Sequence, residues 1–202
     1  GISVGSTNAS AALYIGSGSQ VTADNLMVGT QSNATGLVSL TGNAAVLSLS
    51  GDLQLGTGSS GNSINVANGA TLTIQNDLLI GSTNTINNDL NINNGGSAVI
   101  LGATIIENTS MNSINVKSGG SLAMSQGLDL DDDADSFNFS AGATLELGGT
   151  VLADKMDYKL DVTITGAGTT WVTTNSNFYV GDTVDDNSLT VKDGAFIAGT
   201  TG

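Results

Sequence analysis

Apolar residues along this chain come in short runs that alternate with polar ones, and no stretch repeats at helical spacing. Leu13-Tyr14-Ile15, Ile64-Asn65-Val66, Leu90-Asn91-Ile92, Ile114-Asn115-Val116, Phe137-Asn138-Phe139 and Leu189-Thr190-Val191 are one set. Leu72-Thr73-Ile74, Leu122-Ala123-Met124 and Leu145-Glu146-Leu147 are a second. A third closes on glycine, as in Ile2-Ser3-Val4-Gly5, Leu26-Met27-Val28-Gly29, Leu53-Gln54-Leu55-Gly56, Leu78-Leu79-Ile80-Gly81 and Phe178-Tyr179-Val180-Gly181. Period-two alternation predicts strands that bury one face.

Between the first and second sets stands a corner residue, at Gly18, Asn43, Gly69, Gly95, Gly119, Gly142, Gly168 and Gly194. Glycine and asparagine take the left-handed backbone conformation at low cost, which suits a tight bend. The corners return every 23 to 26 residues. Self-similarity at that period marks a solenoid, in which no single turn buries its own apolar side and neighbours share one core. The prediction is an all-β, right-handed parallel β-helix of about eight three-strand rungs of about 25 residues each. At about 4.8 Å per rung it is a rod about 40 Å long. A β-sandwich is the alternative, and it requires hairpins and no constant three-strand register.

Three residues after each corner come Val21, Val46, Leu72, Ala98, Leu122, Leu145, Trp171 and Ile197; three before come Ile15, Leu40, Val66, Ile92, Val116, Phe139, Thr165 and Val191. Thr165 alone breaks the apolar pattern. A one-residue slip there turns Val162 and Ile164 inward, so a bulge or shift is expected before Gly168. Trp171 falls in a core column and reads as packing. Asn65, Asn68, Asn91, Asn93, Asn94 and Asn115 recur near the corner and predict stacked amide ladders.

Composition narrows the chemistry. The 202 residues hold no histidine, cysteine or proline, four lysines (Lys117, Lys155, Lys159, Lys192) as the only basic side chains, and a formal net charge of −14. Nucleic-acid binding, which depends on phosphate neutralisation, is not expected. Thiol and Ser-His-Asp catalysis lack their residues, and no apolar run is long enough to span a membrane. Thirteen of the 18 acidic residues lie between Asp129 and Asp193. The densest group, Asp129, Asp131, Asp132, Asp133 and Asp135, is a candidate calcium site, because stacked carboxylates repel and a hard cation relieves the repulsion. The competing expectation is a solvated acidic ridge; neither the EF-hand nor the nonapeptide calcium motif is present.

The polar segments 6–12, 30–36, 57–63, 82–89, 108–113, 131–136, 155–159 and 182–188 should emerge on one edge of the rod, where function tends to sit. Asn8, Asn33, Asn108 and Asn138 head Asn-x-Ser/Thr triplets. Thr71-Leu72-Thr73 resembles part of an ice-binding array, but Ser121-Leu122-Ala123 and Thr144-Leu145-Glu146 break it. The chain starts and stops inside a repeat, which points to a segment of a longer chain or a subunit that stacks end to end.

Ile164-Thr165-Gly166-Ala167-Gly168-Thr169-Thr170-Trp171, then Phe178-Tyr179-Val180-Gly181, Ser188-Leu189-Thr190-Val191 and Asp193-Gly194-Ala195 resemble the tandem repeats of bacterial autotransporter passengers and related large surface proteins. The motif is full over residues 164–202 and degraded elsewhere. The resemblance implies an extracellular right-handed β-helix stalk, structural or adhesive, with no catalytic residues. The expected function is therefore a non-enzymatic rod: a surface stalk or passenger segment, or a self-stacking filament or coat subunit. The alternatives are a glycan-binding adhesin module using Tyr14, Tyr158 or Tyr179, and a neutral-polysaccharide hydrolase using paired carboxylates. Candidate partners are a second copy end to end, a glycan, or a host or neighbouring cell surface.

Seven of the eight aromatic residues follow residue 136. Large core side chains bury more apolar area, so hydrogen exchange should show slower opening there than in residues 20–100; the reverse order would overturn this expectation.

Overall fold

A computed structural model describes residues 1–6, 8–106, 111–130, 136–139, 144–148, 150–153, 161–165, 167–174, 178–180 and 188–200. The chain is an all-β parallel solenoid. The first sheet begins with Ile2–Val4, Leu26–Val28, Leu53–Leu55, Leu78–Ile80 and Thr104–Ile106. The second begins with Ser10–Ile15, Thr35–Thr41, Ser63–Ala67, Asp89–Asn93 and Ser113–Val116, and the third with Gln20–Ala23, Val46–Leu49, Thr71–Ile74, Ser97–Ile100 and Ser121–Met124. Every strand pairs in parallel with its equivalents one turn away, and each sheet is eight strands deep. No hairpin pairing occurs among these ladders, which removes the sandwich alternative.

The count of eight rungs is corrected to about five complete turns. A turn is complete only where its corner and loops close it, and beyond residue 126 many of the joining segments lie outside the described residues. Only the strands carry the ladders on to eight.

Among the described residues, six corners are four-residue turns closed by a backbone hydrogen bond, as from Ala70 N to Ala67 O (3.2 Å) or Gly96 N to Asn93 O (2.9 Å). Asn68 and Gly69 both have positive φ (57° and 81°), as do Asn94 and Gly95 (49° and 76°). This double left-handed turn is cheapest for Asn-Gly. The residue after it must be small: Ala70 is fully buried, and a Cβ on Gly96 would lie 2.2 Å from Val66 O.

One corner differs from expectation. Ala44, not Asn43, takes the left-handed position (φ 58°), and the register Val46↔Thr71 and Leu47↔Leu72 follows from it. Leu47, not Val46, therefore enters the core, with no exposed surface. Asn43 holds the position before the bend that Asn68 and Asn94 hold in the next two turns. The shift expected at Thr165 is present, because Phe139 pairs with Ile164 and Ile164 with Val191. One extra residue separates that strand from the corner at Gly168.

Inside the turns, side chains stack in columns: Leu26, Leu53 and Leu78; Val38, Ile64, Leu90 and Ile114; Leu47, Leu72, Ala98 and Leu122. Each fully buried side chain of this size contributes about 1.5–3 kcal/mol. Trp171 is 2 % exposed within this core, as its column required. Thr104 interrupts the leucine column, 1 % exposed, and its hydroxyl has no hydrogen-bond partner.

Thr104→Val keeps the shape and removes the unpaired group, and an orphaned buried hydroxyl costs about 1–3 kcal/mol. The variant should unfold at a higher temperature, by about 2–4 °C per kcal/mol gained at this chain length. Calorimetry showing an unchanged or lower midpoint would contradict the assignment.

Candidate functional site

Among the described residues, the segments leaving the first sheet and entering the second occupy equivalent places in successive turns. What anchors them is a buried column of asparagines beneath. Asn62, Asn88 and Asn112 each stand one residue before a second-sheet strand and have no exposed surface. By register, Gly36 occupies the same column one turn before Asn62.

A buried amide is costly unless its donors and acceptor are used. Here each Oδ1 accepts from the turn before. Asn62 Oδ1 accepts from Gly36 N (2.7 Å). Asn88 Oδ1 accepts from Asn62 N (3.2 Å) and Asn62 Nδ2 (2.8 Å). Asn112 Oδ1 accepts from Asn88 N (3.1 Å) and Asn88 Nδ2 (2.9 Å). The amides also hold the loops: Asn62 Nδ2 donates to Ser59 O (2.9 Å), and Asn112 Nδ2 to Thr85 O (3.3 Å). Ser59 Oγ in turn donates to Gly29 O (3.0 Å).

The glycines that follow the first-sheet strands at Gly29 and Gly56 have a second reason beyond the bend. Gly29 and Gly56 have positive φ (65° and 72°). A Cβ at Gly29 would lie 2.0 Å from Asn62 Oδ1, and one at Gly56 would lie 2.1 Å from Asn88 Cγ. Each glycine therefore clears space for an asparagine of the following turn.

A second ladder lies on the outer face of the second sheet. Asn91 Nδ2 donates to Asn65 Oδ1 (3.1 Å), and Asn115 Nδ2 to Asn91 Oδ1 (3.0 Å). These three belong to the expected set; Asn68 instead donates to Thr41 Oγ1 (2.9 Å). A third ladder runs at the corner between the third and first sheets, with the polarity of the second and opposite to that of the buried column. Asn25 Oδ1 accepts from Asp52 N (2.7 Å), Asp52 Oδ1 from Asp77 N (3.2 Å), and Asp77 Oδ1 from Ala103 N (2.8 Å). There each acceptor serves the turn that follows.

Of the candidate calcium ligands, Asp129 lies in the strand Gly127–Leu130, paired Ile105↔Asp129 and Asp129↔Leu152. Asp131, Asp132, Asp133 and Asp135 lie outside the described residues. Among the described residues, no three His, Cys, Asp or Glu side chains group as metal ligands. Tyr14, 71 % exposed, stands on the second sheet, whereas Tyr179 belongs to a first-sheet strand. The two tyrosines are thus carried on different sheets, and Tyr158 lies outside the described residues. A shallow groove of about 370 Å³ lies along Ser10, Ala12, Thr35, Leu37 and Ser63.

Asn8 and Asn33 are exposed, with positive φ (42° and 61°). Asn138 is within a strand, paired Asn115↔Asn138, and Asn108 is outside the described residues. Ser113 Oγ donates to Asp89 Oδ1 (2.5 Å) and accepts from Asn115 Nδ2 (2.7 Å), so this hydroxyl serves the outer network. Among the described residues, no helix is long and apolar enough to cross a membrane.

Sequence reasoning missed the buried column, though a signal was present. Asn62, Asn88 and Asn112 share the inward parity of Ile64, Leu90 and Ile114, so a polar residue recurs at a core-facing position in three successive turns. Comparison with protein-family models, curated proteins and solved structures finds no match.

Asn88 ties two neighbouring turns together, so Asn88→Ala should cost about 2–4 kcal/mol through orphaned buried groups. Gly56→Ala should cost a comparable amount by clash and backbone strain. Because the clash is with Asn88 itself, the double variant should be less damaged than the sum of the singles, by at least about 1 kcal/mol. Additive losses in denaturant unfolding would show that the two residues do not interlock.

Proposed function

We propose that this chain is a non-enzymatic extracellular structural rod, a stalk or passenger segment of a surface protein or a unit that stacks end to end. The observation that carries the proposal is the stacking of three parallel ladders, with polar columns beside the core in three successive turns. That stacking repeats Asn62 on Asn88 on Asn112 inside and Asn65 on Asn91 on Asn115 outside. Turns that match at every level give length and stiffness without any one turn being special. Backbone held in ladders is also a poor protease substrate, because cleavage requires local opening.

A glycan-binding role gains no support from the aromatic residues, since Tyr14 and Tyr179 are carried on different sheets. The acidic group Asp129, Asp131, Asp132, Asp133 and Asp135 fits the rod in one of two ways: it holds calcium, or it forms a solvated ridge that keeps a highly charged rod dispersed.

Electron microscopy of the purified protein in calcium and in chelator tests the proposal. Straight, uniform rods with a repeat of about 4.8 Å per turn along the axis support it. Long filaments assign end-to-end stacking, and discrete short rods assign a segment of a longer stalk. Compact or irregular particles in both conditions would overturn it. In parallel, calcium should raise the thermal midpoint if the carboxylates bind it, and the combined variant D131N/D132N/D133N should lose that rise. A midpoint indifferent to calcium assigns the solvated ridge.

A further inference from the structure

Three asparagines stack at the same corner position in successive turns, Asn43, Asn68 and Asn94, and their surroundings differ in three defined ways. Asn68 and Asn94 are each followed by glycine, whereas Asn43 is followed by Ala44. All three are exposed. Asn68 Nδ2 donates to Thr41 Oγ1 of the preceding turn (2.9 Å). For Asn94 the equivalent residue is Ala67, paired Thr41↔Ala67, which has no hydroxyl to offer. The space around the following glycines differs too. A Cβ on Gly69 would meet Asn43 at 3.6 Å, while one on Gly95 would meet nothing within 4 Å.

We propose that the Asn94–Gly95 corner is a site of spontaneous covalent modification, with Asn68–Gly69 a slower second site and Asn43–Ala44 inert. The reaction needs only water. The Gly95 amide nitrogen attacks Asn94 Cγ, the new N–Cγ bond forms, and the Cγ–Nδ2 bond breaks. Ammonia leaves with the proton from the attacking nitrogen. Water then opens the cyclic imide at one of its two carbonyls, yielding aspartate or an isoaspartyl linkage. Glycine after the asparagine permits this because no side chain shields its nitrogen and its backbone can reorient. Asparagine is among the residues that limit protein lifetime at elevated temperature for the same reason.

The outcome matters for the rod. Either product adds a negative charge to an exposed corner column of a chain already at −14. The isoaspartyl form also adds an atom to the backbone inside the turn closed by Gly96 N and Asn93 O (2.9 Å). Rods would then carry a chemical record of age at a fixed turn.

Peptide mapping by mass spectrometry, after incubating the folded protein at mildly alkaline pH, tests this. A gain of about 1 Da should accumulate at Asn94 first. At Asn68 it should be about twofold to tenfold slower, the range that one hydrogen bond supports. At Asn43 it should be absent. Thr41→Ala should bring Asn68 to the rate of Asn94. Gly95→Ala should suppress the gain at Asn94, and Ala44 shows that alanine is accepted at this corner position with φ 58°. Equal rates at Asn68 and Asn94, or a folded chain that stays unmodified at Asn94 while the urea-unfolded chain converts, would overturn the proposal.

Discussion

One turn of this chain has no interior of its own, and every other feature depends on that. Its inward side chains are covered only by the turns before and after, and its backbone groups find partners only in the same direction. A turn must therefore present nearly the same cross-section as its neighbours, at every position around the circuit. The leucine, isoleucine and valine columns satisfy this for apolar volume. The asparagine column at Asn62, Asn88 and Asn112 satisfies it for a polar position that is buried just outside a strand in three successive turns.

Polar stacking is directional in a way that apolar stacking is not. In the buried column each side-chain oxygen accepts from the turn before. At the opposite corner, Asn25, Asp52 and Asp77 accept from the turn after. Each central turn is thus held by side-chain acceptors from both of its neighbours. An asparagine suits the inner ladder because it both donates and accepts, so identical residues can chain indefinitely. A carboxylate suits the outer corner, where one acceptor per backbone N–H is enough and solvent screens the stacked charges. Tolerance differs accordingly. Ala98 and Thr104 interrupt the leucine columns inside the core, whereas the glycines at 29 and 56 leave no room for any side chain.

Much of this was legible in the residues. The period of the corners, the three alternating runs and the slip at Thr165 follow from parity and spacing, because strands alternate strictly and a one-residue error exposes a whole face. Asn43 was misplaced as a corner for a simple reason. Asparagine and alanine at positions 43 and 44 carry no local signal that alanine takes the left-handed conformation; the pairing of Val46 with Thr71 forces it. The buried asparagines were passed over because they sit just outside the strands, in segments whose polar composition suggests exposure. The outer ladder of Asn65, Asn91 and Asn115 was easier to see, since its members lie between core residues.

The amino-acid order by itself determined a repeating all-β chain, many of the core positions among the described residues, and a chemistry without histidine, cysteine or strong positive charge. Those properties are local or compositional, and alternation and counting are enough to read them. Only the tertiary structure decided which asparagine meets which. It also decided why Gly29 and Gly56 carry no side chain and which corner asparagine is held by a neighbouring hydroxyl. Each of these depends on a contact between residues of adjacent turns, such as Asn62 with Asn88 or Gly29 with Asn62. Such contacts come into being when one turn is laid on another, and they fall outside the short windows from which alternation and turn signals are read.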